Sequence, residues 1–356
     1  MNRDASWAYR NEFHESFART YFRRFGDGLV SSIGVGTYLG KPTDERDDDY
    51  YAAIREALAT GVNVVDTAID YRHQRSERVV GRALADSDVD REAVLLATKG
   101  GFVPFDGERP ADPAAYVREE FPEYEFVRGN CLDPDFLDES LDRSLENLGV
   151  DSIDLYYVHT PEVQLERHDA ETVYDMLEAA FTRLEERAAA GDIDHYGVAT
   201  WEALRVPAGH DSYLSIPELV RRARAASDAA GTTSTHLRAL QLPFNVRMAD
   251  AFTVESHAGP EGRQSALWFA HEAGLDVFAS APLVQGELTA ETELPDPVAE
   301  RLDATTAAQQ AINFARSAPG VTSALVGMGT PEHVAENVAA GEHSPLGADG
   351  FDAVFE

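Results

Sequence analysis

Four side chains in this sequence have types and spacings that could move a proton. They are Asp66 and Tyr71 in VVDTAIDYRHQRSERVVG, Lys99 in LLATKGG, and His159 in LYYVHTPE. A phenol ionises near pH 10 and is a reluctant acid at neutrality unless a nearby cation stabilises the phenolate. An ammonium about 4 Å from the hydroxyl, at an effective dielectric near 20, favours the phenolate by roughly 4 kcal/mol, or about three pH units. Lys99 is the expected cation and Asp66 the counter-charge that keeps it in a buried site. His159, neutral, would position a substrate carbonyl oxygen against Tyr71, the general acid. Singly, each has a plainer reading: a loop tyrosine packs, an aspartate at a strand end caps a turn, a buried histidine satisfies the core. Their convergence gives them meaning, and it depends on the elements that carry them.

Asp66, Lys99 and His159 each close an apolar, β-branched run, and Tyr71 comes in the next loop. Eight such runs alternate with stretches of helical period: Val30–Thr37, Val62–Thr67, Ala93–Thr98, Ile153–His159, Ile193–Thr200, Leu237–Leu242, Leu275–Ser280 and Val321–Gly327. Gly61 and Gly149 stand just past two of the intervening helices, where a left-handed residue ends a helix. Near-continuous apolar strands with no marked edge predict an α/β fold, a closed (β/α)8 TIM barrel in a single domain. The expected division is an N-terminal arm or hairpin over 1–28, the barrel over 29–339, and a mobile acidic tail over 340–356. Barrels do their chemistry at the C-terminal ends of the strands. With neighbouring strands about 4.8 Å apart, the ends of the second, third and fourth fall within about 10 Å of one another.

The charge balance is extreme: 63 acidic against 30 basic residues, a formal net charge of -33, and only two lysines, Lys41 and Lys99. Such self-repulsion opposes compaction at ordinary ionic strength but is screened at about 1 M salt, where the Debye length is roughly 3 Å. The reading is a salt-adapted protein of a salt-rich cytoplasm. Nothing forms a basic stripe, so neither nucleic acid nor a membrane is an expected partner. There is no long apolar run, no signal-peptide layout and one cysteine, Cys131. The eleven histidines are scattered, with no H-E-x-x-H and no spaced cysteine set, so no metal is expected.

The stretch DTAIDYRHQRSERVVG resembles the aldo-keto reductase signature D-T-A-x-x-Y-x-x-x-x-S-E-x-x-x-G with every spacing intact, and Lys99 and His159 complete that family's Asp, Tyr, Lys, His tetrad. The similarity runs from GVGTY to TPEHVAEN. It implies hydride transfer between a nicotinamide cofactor and an aldehyde or ketone, with Tyr71 as proton donor. After the eighth strand, Thr330 reads as an N-cap with Pro331 in the first turn, so the helix start near His333 could receive a phosphate. By resemblance Glu336 and Asn337 match an adenine-contacting pair and Gln241 a carboxamide ligand. Ser280, Pro282, Leu283 and Gly286 correspond to a loop covering the pyrophosphate, and Gly36, Thr37 and Tyr38 belong to the same cofactor wall. Three departures stand out. Thr200 comes after Ala199 where the family carries Ser-Asn, Ser280 replaces a stacking aromatic, and Gly327, Met328 and His333 stand where NADP-preferring members place Lys or Arg. With no such cation in this loop, a basic residue from elsewhere, Arg263 being one, would have to serve. Family habit leans slightly toward NADP(H) over NAD(H).

Between the third strand and the next helix lies a long connection carrying Phe102, Phe105, Tyr116, Phe121, Tyr124 and Phe126. It reads either as a lid over the barrel mouth or as an aromatic cluster packed beside it. Two other functions fit a barrel with this sequence: a cofactor-binding regulatory subunit with little turnover, and a lyase or isomerase acting on a phosphorylated substrate.

Overall fold

Strands covered on both faces need apolar residues at nearly every position, and the barrel is built that way. The computed structural model describes residues 1–260, 262–288 and 294–356. Helix α1 (Arg3–Phe13) and an antiparallel hairpin, β1 (Phe22–Phe25) and β2 (Gly28–Ser31), come first. The barrel strands begin with β3 (Ile33–Gly36), β4 (Val64–Asp66), β5 (Leu95–Gly100), β6 (Ile153–His159), β7 (Ile193–Ala199) and β8 (Leu237–Pro243). A small hairpin, β9 (His257–Gly259) and β10 (Gly262–Gln264), precedes the last two, β11 (Asp276–Ser280) and β12 (Val321–Gly327). The eight pair in parallel, in chain order, and β12 returns to β3 to close the barrel.

Successive residues of one strand serve two cores. Val64, Leu95, Ala97, Leu155, Tyr157, Ala239 and Phe278 pack together inside the barrel, whereas Val65, Leu96, Tyr156 and Val158 pack with the outer layer. That layer includes α2 (Asp44–Ala59), α3 (Arg75–Ala85), α5 (Pro134–Leu148), α6 (Ala170–Ala190) and α7 (Ile216–Ala230), whereas α4 (Pro113–Glu120) packs in a separate cluster. Later come α8 (Asp250–Thr253), α9 (Ala266–Ala273), α10 (Asp296–Ala299), α11 (Ala307–Ser317), α12 (Pro331–Val338) and α13 (Ala348–Asp352). No described helix is long and apolar enough to cross a membrane.

The structure revises the N-terminal segment, the start of the first barrel strand and the C-terminal tail, and chooses between the two readings of the long connection after β5. The N-terminal segment is a helix as well as a hairpin, and the hairpin takes residues to Ser31, so Val30 belongs to it and the first barrel strand begins at Ile33. Asn63 enforces the break: its Oδ1 accepts from Ser31 N at 2.7 Å, and its Nδ2 donates to Leu29 O at 2.9 Å and Ala93 O at 2.8 Å. Phe25 and Val30 thereby join the interior cluster. The C-terminal segment is docked rather than a loose acidic tail, because Phe351 is fully buried, with ring centres 5.0 Å from Phe252 and 5.2 Å from Phe314. The long connection after β5 is mainly an aromatic cluster. Phe105, Tyr116, Phe121, Tyr124 and Phe126 gather around Phe136 of α5, and only Phe102 and Arg128 from this segment reach the barrel mouth.

Candidate active site

The ends of β4, β5 and β6 bring the four proton-handling residues together. Lys99 is fully buried, and its Nζ donates to Asp66 Oδ1 at 2.6 Å and to Thr67 O at 2.7 Å. Gln241, from β8, donates through Nε2 to the other Asp66 oxygen at 2.8 Å. The ammonium lies 4.8 Å from the centre of the Tyr71 ring, and the ring of His159 meets Tyr71 edge-on at 5.9 Å. Asp66, Tyr71 and His159 line a cavity of about 580 Å3, with Lys99 behind its wall.

The three residues after Tyr71 hold it in place. Arg72, His73 and Gln74 all adopt left-handed backbone, with φ of 49°, 58° and 67°, a run that non-glycine residues keep only when surroundings enforce it. Gln74 Nε2 donates to Pro104 O at 2.9 Å, Arg72 Nε to Lys41 O at 3.2 Å, and Gly107 N to His73 O at 3.0 Å. The rest of the motif anchors α3. Ser76 Oγ donates to Thr37 O at 2.9 Å, while buried Glu77 accepts from Thr98 Oγ1 at 2.6 Å and Asn147 Nδ2 at 2.9 Å. A Cβ on Gly81 would meet Leu148 O at 2.4 Å, so only glycine lets α3 approach the end of α5.

The electrostatics overturn one expectation. Burial, reinforced by Asp66 and Asp70, holds the Tyr71 phenol well above its ordinary value of 10 instead of drawing it toward neutrality. Lys99 is engaged by Asp66 and a carbonyl, and the carboxylates repel a phenolate. Asp70 was missed in the sequence: it lines the cavity with Oδ1 3.4 Å from His159 Nδ1. An acidic residue directly before the tyrosine was the available signal.

The cofactor residues divide into three groups. Gly36, Thr37, Tyr38, Thr200, Gln241, Ser280, Pro282, Leu283, Gly286 and Gly327 line the main cavity, as does Trp201. His333, Glu336 and Asn337 line a second cavity of about 220 Å3. Leu39, Leu283, Gly286 and Gly327 border both, so the two form one elongated space. Met328 departs from expectation, whereas Thr330 takes the N-cap place read for it and lines neither cavity. Met328 is fully buried in the outer core, and Thr330 uses its hydroxyl as the N-cap of α12, accepting from His333 N at 3.3 Å. Nor is Arg263 near, since it donates to Ser256 O in the β9–β10 hairpin.

The cation beside the small cavity is Arg46 of α2. Its guanidinium lies 5.1 Å over the Tyr50 ring and donates to Gly329 O at 3.3 Å, and its Nε is buried without a hydrogen-bond partner among the described residues. A side chain at Gly329 would strike it. Thr200 Oγ1 is likewise buried and unpartnered. A long cleft with orphaned donors, a guanidinium and a helix N-terminus at one end fits a dinucleotide.

Residues 32–208 match the profile of the Aldo/keto reductase family, a span that contains all four converging residues. Aldo-keto reductase str7 of Strobilurus tenacellus is 28% identical over 282 residues, covering 77% of this chain and 64% of the relative. The 6-dehydroglucose reductase of Novosphingobium aromaticivorans is 30% identical over 162 residues, 43% of this chain and 46% of that protein. The chain thus spans less than two thirds of the length of either. An aldo-keto reductase from Klebsiella pneumoniae, crystallised with NADPH, superposes with a TM-score of 0.63 at 21% identity, covering 94% of this chain and 93% of that one. The holo form of an aldo-keto reductase from Bacillus halodurans gives 0.61 at 21% identity, covering 94% and 95%. These two likenesses concern the fold, and the profile match concerns the sequence that builds the site. The chain belongs to the aldo/keto reductase family.

Proposed function

We propose that this protein is an NAD(P)H-dependent reductase of aldehydes or ketones, with Tyr71 as proton donor and Asp66, Lys99 and His159 as its supporting groups. The observation that carries the reading is the Lys99 ammonium, pinned by Asp66 beneath the Tyr71 ring at the floor of the cavity. When bound, the reduced nicotinamide supplies a hydride to the carbonyl carbon. Tyr71 Oη gives its proton to the carbonyl oxygen. Its raised pKa suits this direction: the phenol is protonated at neutral pH, and an alkoxide is a far stronger base than a phenolate, so no prior acidification is required. Lys99 then sits beside the phenolate and lowers its cost until solvent reprotonates it through the cavity. Asp70 Oδ1 lies 3.4 Å from His159 Nδ1, and Nε2 is the ring nitrogen proposed to contact the carbonyl oxygen.

The cofactor reading is NADP(H) ahead of NAD(H), and Arg46 supports it as the guanidinium supplied from α2 in place of a cation from the loop after β12. The NADPH held by the Klebsiella pneumoniae structure favours the same choice. Oxidation of NADPH and NADH at 340 nm across an aldehyde and ketone panel tests the activity. Tyr71→Phe is expected to lose turnover while still binding cofactor. Fluorescence titration tests the preference: Arg46→Ala should weaken NADPH about tenfold to a hundredfold and leave NADH unchanged. Cofactor binding without turnover in the native protein would favour a regulatory subunit instead.

A further inference from the structure

At the opposite end of the barrel from the tetrad lies a second polar cavity, of about 500 Å3, between the β1–β2 hairpin and the start of β12. Four arginines line it, Arg19, Arg23, Arg24 and Arg316, and among the described residues no aspartate or glutamate does. In a chain with 63 acids and 30 bases, many guanidiniums are engaged by carboxylates; Arg222 alone contacts Glu171, Asp175, Glu178 and Glu218. Here the partners are neutral. Arg316 is fully buried and donates to Ser32 Oγ at 2.9 Å, Ala340 O at 2.8 Å and Asn313 Oδ1, while its Nη2 is buried with no acceptor among the described residues. Arg23 donates to Val321 O and Arg316 O, both at 2.6 Å, and to Thr20 O at 3.3 Å. Burial pulls Arg23 down to about 10 and Arg316 to about 9, the latter helped by repulsion from Arg23.

Carbonyls can satisfy N–H groups, but they do not neutralise the buried Arg316 guanidinium and the half-buried Arg23 beside it; an anion does. We propose that this cavity is a binding site for a phosphate-class oxyanion, held by Arg19 and Arg24 at its surface and Arg316 at its base. Tetrahedral oxyanions match the planar donor fork of arginine and can engage several forks together. The site is separate from the cofactor cleft and does not depend on the proposed reductase activity.

The test is thermal unfolding with inorganic phosphate, and in parallel glycerol 1-phosphate, against potassium chloride at the same ionic strength. The variants are Arg19→Ser/Arg24→Ser, at two exposed positions outside the core, and Arg46→Ala, which removes the cation at the cofactor end. At a hundredfold excess over Kd, phosphate is expected to raise the Tm by about 3 to 4 °C in the native protein and in Arg46→Ala, and by less than about 1 °C in the double variant. A shift from both anions identifies a phosphomonoester site; a shift from inorganic phosphate alone identifies a site for the free ion. No phosphate-specific shift, an undiminished shift in the double variant, or loss of the shift in Arg46→Ala overturns the proposal. Calorimetric titration of the folded native protein provides a second readout if the double variant is too unstable to compare.

Discussion

Replacing Asp66 by asparagine isolates the charge at the floor of the site without changing its shape. At 2.6 Å and an effective dielectric near 20, the Lys99–Asp66 attraction is about 6 kcal/mol. Breaking a buried pair by removing one partner costs about 3–5 kcal/mol, because the other charge is left without its counter-ion. For 356 residues at roughly 2.1 cal/mol/K each, the unfolding entropy is about 0.75 kcal/mol/K, so the Tm should fall by about 4–7 °C. Asp66→Asn/Lys99→Met removes both charges and should recover more than half of that loss while remaining inactive. The assay is thermal unfolding of both variants beside the native protein in one high-salt buffer. The reasoning is refuted if the single variant melts within about 1 °C of the native protein, or if the double variant is the less stable of the two.

Three further outcomes are expected. His257 is buried, accepts at Nδ1 from Ile216 N at 3.2 Å and donates from Nε2 to Leu204 O at 2.9 Å, so it folds as the neutral ring; burial lowers it from 6.5 to about 4. The unfolded chain therefore takes up the proton first, and roughly 3 kcal/mol of stability present above pH 6.5 should be lost as pH falls toward 4, a slope that His257→Gln reduces in melting curves. Phe351→Ala should cost about 3–5 kcal/mol and expose the C-terminal segment to limited proteolysis, whereas a freely hanging tail would be cleaved equally in both proteins. Lowering KCl should unfold the chain, as the net charge of -33 loses its screening, and far-UV circular dichroism that ignores the salt would contradict the salt-adapted reading.

The barrel was legible because both faces of the strands are covered, which turns them into apolar runs. Asp66, Lys99 and His159 were legible for the same reason, as they end those runs, and Tyr71 was legible from its spacing after Asp66. Other features lie where sequence distance hides proximity. Arg46 reaches Gly329 from the far end of the chain, and Asn63 divides an apolar run that reads as one strand from Val30 to Thr37. The tail was misread because its acids suggest solvent, while Phe351 decides its place. The Tyr71 phenol was assigned the wrong direction because the sequence argument counted one cation and left out burial, the repulsion of a phenolate by Asp66, and Asp70.

The site is also divided along the chain. Asp66, Tyr71, Lys99 and His159 come from β4 to β6, whereas the loop after β11 and helix α12 supply much of the far wall of the elongated cleft. The two sets meet through few direct links, among them Gln241 on Asp66 and Arg46 against Gly329. A chimaera that exchanges the barrel beyond β7 would therefore inherit both the acid chemistry and Arg46 while renewing the α12 end of the cleft, provided that the crossover keeps both of those contacts.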